Sequence, residues 1–403
     1  MDVLIVTNFC SDFSKTDNDR FLYIANMLSK EHKVELVTSN FCHEKKLHRN
    51  FPLTAWPFKI TFLQETGYPK NVCLRRFYSH WTWGKELKKY LIRRKKPDVI
   101  YCAIPSLSGP FAVAKYCEKN KVKFVVDVQD LWPEAFSMVF RIPVISDLVF
   151  WPFKVLVNGI YKRADEIAAV SETYVQRALS VNKKCSSGHA VFLGTELETF
   201  DINTNNNHFR KSSNELCLGY CGTLGASYDL TCVFDALVLL REKGHFPPKF
   251  VVMGDGPRKE EFEKYAQRKD LEVVFTGRLP YAQMCGRLKA CDITVNPIVG
   301  SSAASIINKH ADYAASGLPV INTQESQEYR DLVDKYCMGM NCKNGDPVDM
   351  AEKLEKLIRD EALRLEMGRN ARRCAEEKFD RKNTYKALLK VVENNERGND
   401  QER

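Results

Sequence analysis

The sequence has no stretch approaching the roughly 18 apolar residues that cross a bilayer as a helix. The strongest candidate, Leu148 to Phe153, is short and lies between Asp147 and Lys154, which excludes a spanning helix. No basic leader precedes Asp2-Val-Leu-Ile-Val-Thr7, so the start reads as a first strand and not as a signal peptide. The 14 cysteines include no Cys-x-x-Cys; the closest pairs are Cys217/Cys221 and Cys337/Cys342. Cys102, Cys217 and Cys221 sit in apolar runs, where a thiol packs as a small hydrophobe. Neither a zinc site nor a disulfide framework is expected, and a reducing cytoplasm fits this usage. There is no G-x-G-x-x-G fingerprint and no short-period repeat, which leaves dinucleotide binding weakly supported. No Asp-x-Asp is flanked by a cleft-like loop that could hold a divalent ion, so no metal is expected.

What is present is an ordinary globular composition, 44% hydrophobic and 28% charged, in a chain of 403 residues. That length exceeds one core and implies two domains of about 200 residues each. The net charge of +9 is uneven: residues 1–200 hold 29 Lys+Arg against 20 Asp+Glu, and residues 201–403 hold 31 of each. The surplus lies wholly in the first half and suggests an anionic partner for it.

Val/Ile/Leu-rich runs alternate with helical patterns, the mark of parallel sheets covered on both faces. The expected strands are Asp2–Thr7, Lys33–Thr38, Asp98–Ala103, Lys123–Val128, Glu166–Val170 and Ala190–Leu193. The second half adds Glu215–Cys221, Lys249–Gly254, Glu272–Thr276, Asp292–Asn296 and Leu318–Asn322. The polar stretch Asp201–Asn214 reads as a linker. The chain therefore divides into an N-terminal domain (1–200), a C-terminal domain (201–380) and a terminal segment (381–403). That segment is a helix expected to pack back on the first domain, followed by a frayed tail. Both domains are doubly wound, and ligands of such sheets bind at the carboxyl ends of the strands. With two sheets the natural site is a central cleft between them.

Two Gly-rich strand-to-helix turns, Tyr220-Cys-Gly-Thr-Leu-Gly225 and Gly254-Asp-Gly-Pro-Arg258, could turn backbone N–H groups toward an anion, or could be tight connections only. The densest segment runs from Asn296 to Ile321: a strand end, a loop of small residues and a helix stopped by Gly317. Lys309 and Asp312 are three apart near that helix's start. A cation there opposes the helix dipole and calls for an anionic partner; a surface ion pair between the two is the simpler alternative.

These runs resemble retaining glycosyltransferase family 4. The resemblance rests on Gly222-Thr-Leu-Gly225, Val252-Met-Gly-Asp-Gly-Pro257, Phe275-Thr-Gly277, Ala290-Cys-Asp-Ile-Thr-Val-Asn-Pro297, Lys309-His-Ala-Asp-Tyr-Ala-Ala-Ser-Gly-Leu-Pro-Val320, Met367-Gly-Arg-Asn-Ala-Arg372 and Lys378-Phe-Asp380. The Ser305-Ile-Ile-Asn-Lys309 wording is similar to a subgroup of capsular or O-antigen polysaccharide assembly. The resemblance implies the GT-B fold, α/β with two Rossmann-like domains, and transfer of sugar from a nucleotide diphosphate sugar, expected to be UDP-linked, with retention and without a metal or other cofactor. It places Asp312 on the ribose and the amides of Ser305, Ile306 and Ile307, with Asn308, at the diphosphate and sugar. Gly222, Thr223, Gly254 and Gly277 line the same donor site. The family's first glutamate falls on Ala304, which cannot make its sugar contact. Thr223 and Tyr228 replace the family's usual Arg and Lys, so Lys309 and Arg278 would supply the positive charge, Lys309 acting in catalysis.

In the first half, Val126-Asp-Val-Gln-Asp-Leu-Trp-Pro-Glu134 ends a strand with acids and a Trp-Pro turn. By the same resemblance Asp130 orients or deprotonates the acceptor hydroxyl; helix capping by this Asp is the alternative. Trp132 joins it on the acceptor side. His43, Lys46 and Arg49, spaced by three, could meet a diphosphate on a lipid acceptor or form a solvated basic loop. Lys15 to Arg20 stand where many relatives have paired glycines. Arg75 to Lys96 holds nine Lys/Arg and one acid, with Trp83, Leu87 and Leu91 as an apolar helical stripe. Such a helix lies on an anionic membrane or packs its stripe inward. Val149 to Phe153 extends that surface or belongs to the core.

The expected activity is hexosyl- or N-acetylhexosaminyl transfer to a lipid-linked saccharide in surface polysaccharide assembly, by a cytoplasmic enzyme peripheral at the inner face of the membrane. A nucleotide-sugar epimerase of the same fold and a non-catalytic partner subunit are the rivals. Nucleic acid is not an expected partner, since no readout motif occurs.

Overall fold

The computed structural model describes residues 1–11, 13, 19–49, 55–71, 73–134, 143–209, 211, 215–300 and 305–394, with the backbone alone for 143–149. Two compact units result, Met1–Val191 with Tyr385–Arg403, and Phe192–Thr384.

The first unit holds strands β1 (Asp2–Val6), β2 (Lys33–Ser39), β3 (Phe41–Cys42), β4 (Leu47–His48), β5 (Lys59–Leu63), β6 (Val99–Ile104), β7 (Lys123–Val128), β8 (Glu166–Ala169) and β9 (His189–Ala190). Seven of them form one parallel sheet in the order β5-β2-β1-β6-β7-β8-β9; β3 and β4 make a small antiparallel pair beside it. The Val/Ile runs of β1, β6 and β7 are buried almost throughout, as a sheet covered on both faces requires.

In the second unit β10 (Cys217–Cys221), β11 (Lys249–Met253), β12 (Val273–Gly277), β13 (Ile293–Asn296), β14 (Val320–Asn322) and β15 (Gly339–Asn341) form a parallel sheet ordered β12-β11-β10-β13-β14-β15. Each sheet thus sets its first strand beside its fourth, β1 beside β6 and β10 beside β13. The chain winds in opposite senses on either side of that pair. This switch leaves a crevice beyond the carboxyl ends of the two strands, where the ligands of such sheets bind.

The strands expected from the sequence are present, with ends shifted by a few residues. Strands β5 and β15 went unread because each lies at a sheet edge, where burial is partial and the apolar run weak. The linker reading of 201–214 is corrected. Leu197–Asn206 is a helix that buries Leu197 and Phe200 in the second unit, and the chain passes between units at 191/192, returning at 384/385. The terminal helix Lys386–Glu393 buries Leu388, Val391 and Val392 in the first unit's core. Arg20 secures that return: its guanidinium donates to both carboxylate oxygens of Asp127, to the Val191 carbonyl and to the Tyr385 hydroxyl, all within 3.2 Å.

The basic helix Leu74–Arg93 turns Trp83, Leu87 and Leu91 inward. The Trp83 ring lies so close to Gly109 that a Cβ there would meet it at 2.1 Å. The apolar stripe is therefore packing against the Ser108–Asn120 helix and not a face left for lipid. Arg94 pairs with Asp2 and Glu35 inside the unit, while Arg75, Lys85, Lys88, Lys89, Arg93, Lys95 and Lys96 of this run point outward, with Tyr78, Trp81 and Ile92 also exposed. In the next helix Phe150 is buried while Trp151 is exposed. No helix among the described residues is long and apolar enough to cross a membrane.

Candidate functional site

The second unit's switch point is built on backbone crowding. Gly222 follows β10 with φ +142, a conformation that side chains rarely adopt. Its carbonyl lies so close to Gly254, after β11, that a Cβ on Gly254 would stand 1.8 Å from the Gly222 oxygen. The Gly222 amide donates to the Met253 carbonyl, and Tyr220 Oη donates to the Thr223 carbonyl. Gly254 in turn bridges to Gly277, which ends β12 at φ +70. Three strand-end glycines expected at the donor site thus sit side by side, with Thr223 beyond them.

Against this floor lies Lys309, second residue of the helix Asn308–Ser316 that follows β13. Its side chain is buried, and Nζ has no hydrogen-bonding partner among the described residues. A Cβ on Gly222 would stand 2.9 Å from that Nζ. The rings of Tyr220 and Tyr228 flank the ammonium at 4.1 and 3.9 Å from their centroids. Burial lowers its pKa to about 7. An unpaired ammonium at a helix N-terminus is held against both desolvation and the helix dipole. The surface ion pair with Asp312 is not formed: both residues are buried and Lys309 bonds to neither carboxylate oxygen.

Asp312 instead accepts a hydrogen bond from Tyr281 Oη at 2.8 Å, and Tyr281 also pairs with the Thr195 hydroxyl at 2.8 Å. Burial raises the carboxyl to about 6. One of the oxygens expected to hold ribose is thereby engaged within the unit. Arg278, just past Gly277, is exposed.

The segment before Lys309 differs from expectation at two points. The Ile307 amide donates to His310 Nδ1 at 3.3 Å and so is not free for a diphosphate. The Ser305 hydroxyl donates to Glu328 at 2.7 Å. Ile306 is buried core and Asn308 is exposed at the helix start. Ala304 lies outside the described residues. Beneath the segment runs a buried amide ladder that sequence reasoning missed. Asn296 donates to Asn322, Asn322 to Asn341, and Gln324 to the Ser305 carbonyl. The signal was the Asn closing each of β13, β14 and β15.

The first unit gathers a second cluster beyond its own strand ends. Trp132 Nε1 donates to Asp130 at 3.2 Å, and burial raises the Asp130 carboxyl above its ordinary range. His43 Nδ1 lies 2.5 Å from Tyr68 Oη and 3.3 Å from Lys46 Nζ; burial and those neighbouring cations drop His43 to about 3, so it is neutral. Arg49 departs from the expected trio: its guanidinium donates to the carbonyls of Cys10 and Ser11 and lies over Phe13. Those two bonds tie it to the loop after β1. Two residues missed by the sequence reading take its place. Arg76 stacks over Trp132 at 4.5 Å, and the His80 ring stacks on Trp132 with centroids 5.6 Å apart. Both lay within the basic run read as membrane-facing. Lys15 to Asn18 lie outside the described residues; Asp19 caps the first helix.

No group of three or more His, Cys, Asp or Glu among the described residues could hold a metal ion.

Two Rossmann-like units with parallel sheets make this a GT-B architecture. Residues 215–360 match the family Glycosyl transferases group 1, so the match falls on the unit that carries Lys309. An uncharacterized glycosyltransferase of Methanocaldococcus jannaschii is 23% identical over 252 residues, 62% of this chain and 63% of the relative. The probable glycosyltransferase WbjE of Pseudomonas aeruginosa is 22% identical over 244 residues, 58% of this chain and 60% of the relative. The chain thus spans less than two thirds of these relatives. Among solved structures, Anabaena HepE in complex with UDP superposes with a TM-score of 0.67 at 15% identity, covering 97% of this chain and 99% of that one. WaaG, a glycosyltransferase involved in lipopolysaccharide biosynthesis, gives 0.68 at 13% identity over 97% and 100%. Likeness at such identity establishes the fold.

Proposed function

We propose that this chain is a retaining glycosyltransferase that uses a nucleotide diphosphate sugar, UDP-linked as in the ligand of HepE, and a lipid-linked saccharide acceptor of surface polysaccharide assembly. The observation that carries the reading is Lys309: a buried ammonium without a counter-ion among the described residues, at the switch point of the second sheet, pressed against a glycine turn. A diphosphate supplies the missing negative charge. As the bond from the sugar C1 to the diphosphate oxygen breaks, the electron pair leaves on the nucleoside diphosphate. Charge grows there, where a preorganised cation and helix N-terminus stabilise it. The acceptor oxygen forms the new bond to C1 and its proton leaves, with Asp130 as the group that orients or accepts it. A hexose or N-acetylhexosamine fits equally. Outward-facing Lys85, Lys88 and Lys89, with Tyr78 and Trp81 beside them, suit a peripheral contact with an anionic membrane.

The test is release of nucleoside diphosphate from a panel of nucleotide sugars with and without lipid extract. Release that requires acceptor supports the transferase. An epimerised sugar formed without acceptor, or nucleotide binding with no turnover, would replace it by an epimerase or a partner subunit.

A further inference from the structure

The cluster in the first unit has more positive charge than its surroundings balance. Arg76 is the third residue of the Leu74–Arg93 helix, whose first turn has no acid and whose N-cap, Cys73, makes no side-chain cap bond. Its guanidinium is walled by the rings of Trp132, Tyr68 and Phe9, at 4.5, 5.5 and 5.7 Å. Nη1 donates to the Asn71 carbonyl, while Nε is buried with no partner among the described residues. Lys46 also lies over Tyr68, 5.1 Å from its centroid. Neither cation forms an ion pair among the described residues. Glu65 is engaged by Asn8 and Ser79, and Asp130 by Trp132. His43 and His80 are uncharged.

Two desolvated cations and a helix N-terminus therefore converge, with Asp130 within electrostatic reach of Arg76 and Glu44 of Lys46 but neither carboxylate in an ion pair with them among the described residues. A single carboxylate would leave part of that charge unmatched; a group with at least two negative charges and several acceptor oxygens would not. Arg is also the side chain whose planar fork suits phosphate oxygens while its faces stack on aromatic rings.

We propose that Arg76 and Lys46, with Tyr68 and Trp132 as walls, form a phosphate-binding subsite for the acceptor, holding a phosphate or diphosphate that the acceptor carries next to its saccharide. The proposal rests on the acceptor role given to this unit above. It makes Arg76 the anchor and removes Arg49 from that role.

Inorganic diphosphate is the probe, titrated calorimetrically into the full chain. Wild type is expected to bind two equivalents, one at each unit. Lys309→Met should remove one of them. Arg76→Gln, and separately Lys46→Gln, should weaken the other about ten- to hundredfold, the loss of a charge-assisted hydrogen bond. Unaltered binding of the Lys309-dependent equivalent reports that each variant is folded; Lys46, half exposed, covers the case in which Arg76→Gln is not. One equivalent only, lost with Lys309→Met, overturns this subsite and leaves the donor site standing. One equivalent lost with Arg76→Gln and kept in Lys309→Met retains the subsite and overturns the donor site. Flotation with phosphatidylcholine vesicles doped with a polyprenyl phosphate tells the source. Arg76-dependent capture by doped vesicles shows a lipid-borne phosphate. Equal flotation with undoped vesicles, together with tighter Arg76-dependent binding of glucuronate than of diphosphate, overturns the proposal.

Discussion

Lys309→Met separates the reasons for which a buried lysine can be present. Burial moves this ammonium from an ordinary 10.5 to about 7. At about 1.36 kcal/mol per unit, charging it in the fold costs about 5 kcal/mol more than in the unfolded chain. Because the folded value is the lower one, the unfolded chain binds more protons between pH 7 and 10.5. The ligand-free protein should therefore gain stability as pH rises through that window, and the full penalty should remain below it. Met keeps the length of the side chain and removes the charge. Allowing for relaxation around the two tyrosine rings, it should stabilise the second unit by about 2–4 kcal/mol at pH 7 and by little above pH 10.5. Urea unfolding at both pH values measures this. The same change should weaken nucleoside diphosphate binding about ten- to hundredfold. In wild type near pH 8, binding should take up close to one proton, read from calorimetry in buffers of different ionisation enthalpy. A variant that is less stable at pH 7 and binds nucleotide as before, with no proton uptake, would refute the assignment and make Lys309 a packing residue.

Gly254→Ala should cost about 2 kcal/mol or more, because the new methyl would meet the Gly222 backbone carbonyl, which cannot swing aside as a side chain would, and nucleotide binding should fall with it in a thermal-shift titration. Asp130→Asn should lower kcat about 100- to 10,000-fold with donor affinity unchanged in calorimetry; wild-type turnover would remove Asp130 from the chemistry. Arg20→Met leaves the Asp127 carboxylate buried alone and should destabilise the first unit by about 3–5 kcal/mol, with Arg20→Met/Asp127→Leu recovering most of it in urea unfolding. Charge reversal at Lys85, Lys88 and Lys89 should release the protein from anionic vesicles, and retention would show that this face is solvated only.

The buried strands were legible because a sheet covered on both faces demands uninterrupted apolar runs, as in Val3–Val6 and Phe124–Val126. The Lys309 turn was legible because glycines and small residues at strand ends are dictated by close backbone approach. Pairing was not. Nothing in the spacing of His43, Lys46 and Arg49 tells that a left-handed Lys46 would tuck its ammonium beside His43, while Arg49 turns to the carbonyls of another loop. Arg76 was hidden by its neighbours: in a run of nine cations, which one points inward depends on helical phase against Trp83 and Leu87, and on the position of Trp132 more than fifty residues away. The amide ladder of Asn296, Asn322 and Asn341 needs the strand register before it can be seen.

The two units solve a common problem with different residues. In each, the crevice at the switch between the first and fourth strands of the sheet gathers loops whose backbones cannot all be paired by the sheet, beside the start of a helix. Oriented amides already make such a place attractive to anions, and each unit adds a cation that the free protein would be more stable without: Lys309 in one, Arg76 in the other. Both are flanked by aromatic rings, which exclude water from a charge while offering it their negative faces. A chain selected for stability alone would replace either cation by an apolar group of the same length. Lys309 opens the helix after the fourth strand of its sheet and Arg76 the helix after the third strand of its own; neither forms an ion pair among the described residues, as expected of sites that a charged ligand completes. At each site, removing the cation should strengthen the empty protein and weaken the liganded one.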